Sequence, residues 1–259
     1  ESYYVSEIAI ECTLPPMSYL CYKLIDKLEN TKKLTSALEI ENNYYKIKFE
    51  KGKFKLKQKE TDKTYNNFLY FEDGGDEGDT YDYSPAFEDW ILNLDFKECK
   101  AVKIEQGDLI SRIIINGKWE LPYSLDDRKI KKLSGEVDYE LRLELNSLNN
   151  RIDVVLRLDN DALDHRLRMI LQTNVGSKVS TSDTAFGMID RPIEEEHLND
   201  WKEVGFKEEP TSMRPMIHLA NLHDKKESWT FLSKGTKDFQ VLGKEHQKLA
   251  ITIFRGVGY

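Results

Sequence analysis

Val137-Asp-Tyr-Glu-Leu-Arg-Leu-Glu-Leu145 alternates apolar and charged residues without a break. Side chains of a β-strand point to opposite faces in turn, so this run is a strand with one dry and one wet face. Asn149-Asn150 then turns the chain, and Ile152, Val154, Leu156 and Leu158 repeat the pattern on the return. Two such runs around a turn predict an antiparallel hairpin. The period extends outward. Tyr45, Ile47 and Phe49 alternate with lysines, Lys51-Gly52 turns, and Phe54 and Leu56 alternate again. Gly107-Asp108 reads as a turn. Asn116-Gly117 lies between strand patterns at 109–115 and 118–121, and Asn-Gly suits the type I′ turn of a second hairpin. Residues 90–96, 101–104, 167–173, 228–232, 239–242 and 249–254 add further strand patterns. The best helix candidate is 192–204, with Pro192 at its start and Leu198, Trp201 and Val204 on one side.

The main body, 39–259, is therefore expected to be mainly β: a large antiparallel domain of roughly twelve to sixteen strands. So many strands do not fit one flat sheet, and two stacked, curved sheets are expected. Before it, residues 5–10 read as a strand and 19–28 fit strand or helix. The polar run 29–33 marks a boundary, with a linker to about residue 38. The chain starts Glu1-Ser-Tyr-Tyr, with no initiator Met or signal peptide, and ends in a strand pattern. The expectation is a segment cut from a longer polypeptide.

The chain has 259 residues, 39% hydrophobic and 32% charged, which is enough for an ample core. Its net charge of −8 argues against a nucleic-acid partner, which would need a basic face. No apolar run approaches the ~20 residues of a membrane-spanning helix. Cys12, Cys21 and Cys99 cannot all pair, and no C-x-x-C occurs, so inert or buried thiols in a reducing cytoplasm are expected. The five histidines lack metal spacing.

Phe71-Glu-Asp-Gly-Gly-Asp-Glu-Gly-Asp-Thr-Tyr-Asp-Tyr-Ser-Pro85 packs Asp73, Asp76, Glu77 and Asp79 among three glycines. Glycine takes positive φ without steric cost, so the stretch can turn tightly. Its acids need water, donors or a cation. A solvated turn, a calcium loop and a substrate-facing loop all remain open. The three-residue spacing of Asp73, Asp76 and Asp79, with Ser84 at position twelve, departs from the EF-hand pattern.

Asp159, Asp161, Asp164, His165, Arg166 and Arg168 form a second dense stretch. If 164–168 is extended, Asp164, Arg166 and Arg168 share one face. An ion-pair network at a sheet margin and a substrate clamp both fit. Arg191 stands before Pro192 and is pushed toward extended geometry, for structural pairing or for a ligand hydroxyl. The acids at 73–79 all come from one loop, whereas glycoside hydrolysis needs two carboxyl groups flanking the bond. No catalytic residue is assigned within this chain.

The acid-glycine stretch, Asp164-His-Arg-Leu-Arg168, Thr184-Ala-Phe with Arg191-Pro192, and the closing Ile251-Thr-Ile-Phe-Arg-Gly-Val-Gly-Tyr259 occur in this order. Together they resemble the C-terminal β region of glycoside hydrolase family 38, the α-mannosidases, in the form of bacterial members such as mannosylglycerate hydrolases. The resemblance covers about 39–259, and residues 1–28 look like the segment just before it. It implies a large supersandwich similar to galactose mutarotase-like domains. It implies an N-terminal α/β barrel on the same polypeptide, where zinc grips the mannose, one aspartate is nucleophile and a second is general acid. No zinc ligand falls on this chain. By the resemblance Tyr81 is substrate-binding, Arg191 aligns with an arginine near the sugar, and Asp79 is counted with them. The implied function is a non-catalytic part of a zinc-dependent retaining α-mannosidase, inactive alone, that completes a mannoside pocket and buttresses the barrel. A carbohydrate-binding module acting on its own is the alternative, with Tyr81, Tyr83 and Trp90 stacking on sugars. Oligomerisation stays open.

Overall fold

The computed structural model describes residues 8–23 and 37–257. Residues 8–23 are exposed and carry no strand or helix, so the expected strand at 5–10 is missing from its described part. Residues 5–7, the 24–28 part of the ambiguous run and the break at 29–33 lie outside the described residues.

From Glu39 onward the chain is mainly β, with eighteen strands and two short helices among the described residues. β1 (Glu39–Glu41), β2 (Tyr45–Glu50), β3 (Lys53–Gln58) and β4 (Thr64–Tyr65) pair in chain order as a first antiparallel sheet. β5 (Leu69–Gly75) and β6 (Leu92–Leu94) open a second. β7 (Ala101–Gln106), β8 (Ile110–Leu121), β9 (Gly135–Asn146) and β10 (Ile152–Asn160) form a third, with α1 (Leu125–Lys129) between β8 and β9. β11 (His165–Gln172) returns to the second sheet beside β5. β12 (Val179–Thr184) and β13 (Gly187–Pro192) open the fourth. After α2 (Trp201–Val204), β14 (Met213–Pro215) joins the second sheet. β15 (Leu219–His223) and β16 (Ser228–Leu232) complete the fourth, and β17 (Asp238–Leu242) and β18 (Lys248–Gly256) complete the second. The second sheet thus has the order β14-β17-β18-β11-β5-β6.

The expected supersandwich of two stacked sheets does not form. The strands part into four sheets in a propeller-like, four-bladed arrangement. Alternation fixes which face of a strand is dry, but it leaves strand partners open. Single residues at positive φ redirect the chain between sheets: Asn67 (φ 51°) between β4 and β5, and Asp164 (φ 53°) before β11.

The hairpins around Lys51-Gly52 and Asn149-Asn150 form as read. The hairpin at Asn116-Gly117 does not: both residues lie inside the continuous strand β8. Gly117 stands opposite Tyr139, and a Cβ there would come within 2.3 Å of the Tyr139 hydroxyl. The Tyr139 ring stacks on Trp119 with centroids 4.2 Å apart. The glycine therefore serves close approach of a buried ring rather than a turn. Of the helix expected at 192–204 only α2 forms, because Pro192 ends β13 and Gly205, at φ 94°, stops the helix after one turn. α1 is not anticipated by the apolar period, although Ser124 caps it by accepting from the Asp127 N–H at 3.5 Å.

The core is one apolar cluster with Phe96 as a hub. Its ring meets Phe54 of the first sheet (5.4 Å), Phe71 of the second (6.1 Å), and Trp119 and Tyr139 of the third (5.9 and 5.6 Å). The contacts with Phe54, Phe71 and Tyr139 are edge-to-face and that with Trp119 is tilted, and such pairs add to the area that aromatic rings bury. Cys12 and Cys21 are exposed and Cys99 is half-buried, so none of the three is a buried thiol. Gly117→Ala should push Tyr139 off Trp119 and cost about 1–3 kcal/mol, as overpacking does. Thermal unfolding would read this as a melting temperature lowered by several degrees, with the β signature retained.

Candidate functional site

The acid-glycine stretch leaves the centre of the second sheet. Register places Glu72 of β5 opposite Arg168 of β11, Gly74 opposite Arg166, and Arg166 opposite Arg255 of β18. Cross-strand partners share a face, so Glu72 and the three arginines rise from one side. Asp73 and His165 lie on the other.

On the first side each acid meets a cation. Arg168 donates to Glu72 Oε1 from Nε (3.0 Å) and Nη2, and to Gln240 Oε1 at 2.6 Å. Asp76, 1% exposed, accepts from Arg255 Nε at 2.6 Å and Nη2 at 3.1 Å, a two-pronged grip with fixed geometry. The same Nη2 donates to the carbonyls of Asp79 (2.8 Å) and Asp82 (2.7 Å), tying the loop to β18. Arg166 lies flat on Tyr83, 3.4 Å from the ring centroid, and donates to Met213 Sδ at 2.9 Å. Burial, helped by Arg168, pulls the Arg166 guanidinium down to about 10, so it stays charged at neutral pH.

On the second side Asp73 is wholly buried. It accepts from Arg128 Nη2 and shares a 2.5 Å bond with His165 Nδ1. Arg128 also donates to the Trp90 carbonyl at 2.7 Å. The other ring nitrogen of His165 is 3.1 Å from Asn160 Oδ1. Asp89 accepts from the Gly75 N–H at 3.0 Å; burial pushes its carboxyl up, opposed by that N–H and by Arg128.

These pairings bear on the readings of the loop. Its first acids, Glu72, Asp73 and Asp76, are held by arginines, while Glu77, Asp79 and Asp82 are exposed, so the solvated-turn reading fits only the tip. Among the described residues no group of three His, Cys, Asp or Glu side chains converges as a metal site.

Asp79 is exposed, and its Oδ1 accepts from the N–H groups of Tyr81 (2.8 Å) and Asp82 (2.9 Å). Those two bonds, Asp82 first, hold its carboxyl below the usual carboxylate range. Tyr81 is therefore carried on a pinned backbone with its side chain 89% exposed. Arg191 lies elsewhere, on β13 of the fourth sheet. It is half-buried and donates to Ser182 Oγ at 2.7 Å. The structure brings Asp79 and Tyr81 together; among the described residues no hydrogen bond links Arg191 to them. Asp164 is not extended, so it does not join Arg166 and Arg168 on one face; its carbonyl accepts from the Asp76 N–H at 2.9 Å.

Arg128, Asp89 and Arg255 belong to the site, yet no role for them follows from spacing alone. The only sequence signal for Arg128 is the Ser124/Asp127 cap that starts its helix. Arg128→Met should leave Asp73 buried with its main cation gone and cost about 3–5 kcal/mol in urea unfolding. Asp73→Asn with Arg128→Met should cost less than the single change, because no uncompensated charge remains.

Residues 40–259 match the family model for the glycosyl hydrolases family 38 C-terminal domain. No curated protein matches. The fold resembles part of the crystal structure of an alpha-mannosidase from Enterococcus faecalis V583, with a TM-score of 0.73 at 20% identity, over 89% of this chain and 27% of that one. A protein in the glycosyl hydrolase family 38 from Enterococcus faecalis gives a TM-score of 0.70 at 20% identity, over 89% of this chain and 28% of that one. At such identity the likeness is one of fold, and this chain spans little more than a quarter of either structure. The family match runs through β5, the pinned loop, β11 and β18, and by it the chain belongs to glycosyl hydrolase family 38, as its C-terminal domain.

Proposed function

We propose that this chain is the non-catalytic C-terminal part of a zinc-dependent, retaining α-mannosidase. In this reading it completes the mannoside pocket and buttresses a catalytic barrel on the same polypeptide. One observation carries the reading: an arginine-locked loop holds Tyr81 89% exposed. A ring kept so far in water contributes little to this domain's own core, while its stiff support suits a contact made with something else. Family membership and the fold likeness to a protein named an alpha-mannosidase point the same way.

The roles follow from what each group can reach. Tyr81 offers a hydroxyl to sugar hydroxyls or to the catalytic carboxylate. Asp79 fixes the turn through Oδ1 and leaves Oδ2 to accept from a sugar hydroxyl. Arg191, with one nitrogen committed to Ser182, forms the pocket floor once the barrel is in place. Such groups orient substrate and break no bond. The described residues offer no group of three His, Cys, Asp or Glu side chains for zinc. Metal, nucleophile and acid are assigned to the barrel, and the chain alone is inactive. Free thiols fit a reducing compartment, and we place the protein in the cytoplasm. No helix among the described residues is long and apolar enough to cross a membrane.

Tyr81→Phe in the full-length polypeptide tests the reading. The hydroxyl makes no hydrogen bond among the described residues, so the melting temperature should not move. With an aryl α-mannoside, kcat/KM should fall about tenfold or more, equivalent to about 1.4 kcal/mol of lost transition-state binding. Unchanged kinetics would reduce the domain to a buttress.

A further inference from the structure

The same face of the second sheet that carries Glu72 and the arginines also carries Tyr70, at the opposite end of β5. Asn93 of β6 stands opposite Glu72, and Gln172 of β11 stands opposite Lys248 of β18. Parity along β5 and β11 puts all of these on Tyr70's side of the sheet. Where this end meets the first sheet, a groove of about 590 Å³ opens. Its walls include Asn66, Asn67, Tyr70, Asn93, Gln172 and Asn174.

Three properties set the groove apart from an ordinary wet surface. It gathers five primary amides, contributed by the turn after β4, by β6 and by β11 and the residues after it. Each amide carries two N–H donors and a carbonyl acceptor. The amides of Asn66 and Asn93 make no hydrogen bond to any described residue, so both remain available to a ligand. Asn67 Oδ1 is buried and lacks a partner, which is costly for an acceptor. The floor is also held in place. Lys248 Nζ donates to the Tyr70 hydroxyl at 3.3 Å, Gln172 Nε2 donates to Asn174 Oδ1 at 2.8 Å, and Asn67 and Asn174 both sit at positive φ. Of the charged wall residues, Lys53 and Lys248 are cationic and Asp95 anionic, a net charge of +1 that is too small to demand an anionic ligand.

We infer that this groove is a binding site for a neutral, polyhydroxylated ligand, a short oligosaccharide. Vicinal sugar hydroxyls donate and accept from adjacent oxygens, and a side-chain amide presents the matching donor and acceptor in one rigid plane. A volume of this size takes two to three sugar rings, within the ordinary range of ligand sites, roughly 300–1,000 Å³. The groove and the Tyr81 loop lie at the two ends of β5, roughly 20 Å apart at ~3.3 Å per residue. The inference rests on the groove's own side chains. Only the choice of a mannose-based probe rests on the function proposed above.

The test is side-chain amide NMR on the 259-residue chain, titrated separately with mannotriose, maltotriose and triglycine. The NH2 signals of Asn66, Asn93 and Gln172 should shift saturably with at least one trisaccharide, with a Kd on the order of 1 mM. The double variant Asn66→Ala/Asn93→Ala should weaken binding about tenfold or more. Both side chains are exposed and make no hydrogen bond to a described residue, so its melting temperature should equal that of the parent. Maltotriose binding without mannotriose would keep the groove as a sugar site and count against mannose. Failure of both sugars, shifts that survive the double variant, or a preference for triglycine would each overturn the inference. None of these outcomes bears on the Tyr81 kinetics.

Discussion

A carboxylate with no exposure to water must be neutralised where it stands, and Asp73 is such a group. Leaving it alone in the interior would cost several kcal/mol. Two separate parts of the chain answer it: α1 delivers Arg128, and β11 delivers His165. β5 therefore cannot take its place in the second sheet without fixing both. Everything beyond Gly75 inherits that position. Arg255 seizes Asp76 and two loop carbonyls, Arg166 flattens on Tyr83, and Asp79 pins its own turn. A stretch whose glycines let it turn tightly is thus tied down at several points. Rigid presentation of an exposed side chain is what a contributed pocket wall needs.

Much of this was legible in the residues, and the limits are physical. Period-2 alternation located most of the longer strands and the hairpins at Lys51-Gly52 and Asn149-Asn150, because burying one face is a property of a single strand. Partition into sheets depends on which strands meet, which a run such as Val137–Leu145 does not encode. Four sheets in a propeller-like arrangement therefore replaced the expected pair. Asn116-Gly117 misled for a related reason: Asn-Gly permits a tight turn but does not demand one, and Tyr139 needed the space above Gly117. At the site, the acid loop and Arg166/Arg168 stood out by density. Their pairing did not, since Arg128 and Arg255 lie 55 and 179 residues from the acids they hold. Asp79 and Tyr81 share one loop, whereas Arg191 sits on another sheet.

The second sheet sets the frame for function. One of its faces carries the arginine-held acids at one end and the amide groove at the other, with Glu72, Arg168 and Gln240 between. The chain matches little more than a quarter of the structures it resembles. A domain that arrives with a prefolded loop and a stiff sheet face can add walls to a neighbour's pocket without rearranging. That division of labour is the account's central claim.

A crystal structure of the full-length polypeptide with a bound, uncleaved mannoside analogue tests it most directly. The account predicts the sugar between the barrel and this domain, with the Tyr81 hydroxyl within hydrogen-bond distance of a sugar hydroxyl or a catalytic carboxylate, and with the loop unchanged. A sugar enclosed by the barrel alone, with Tyr81 still facing solvent, would contradict it.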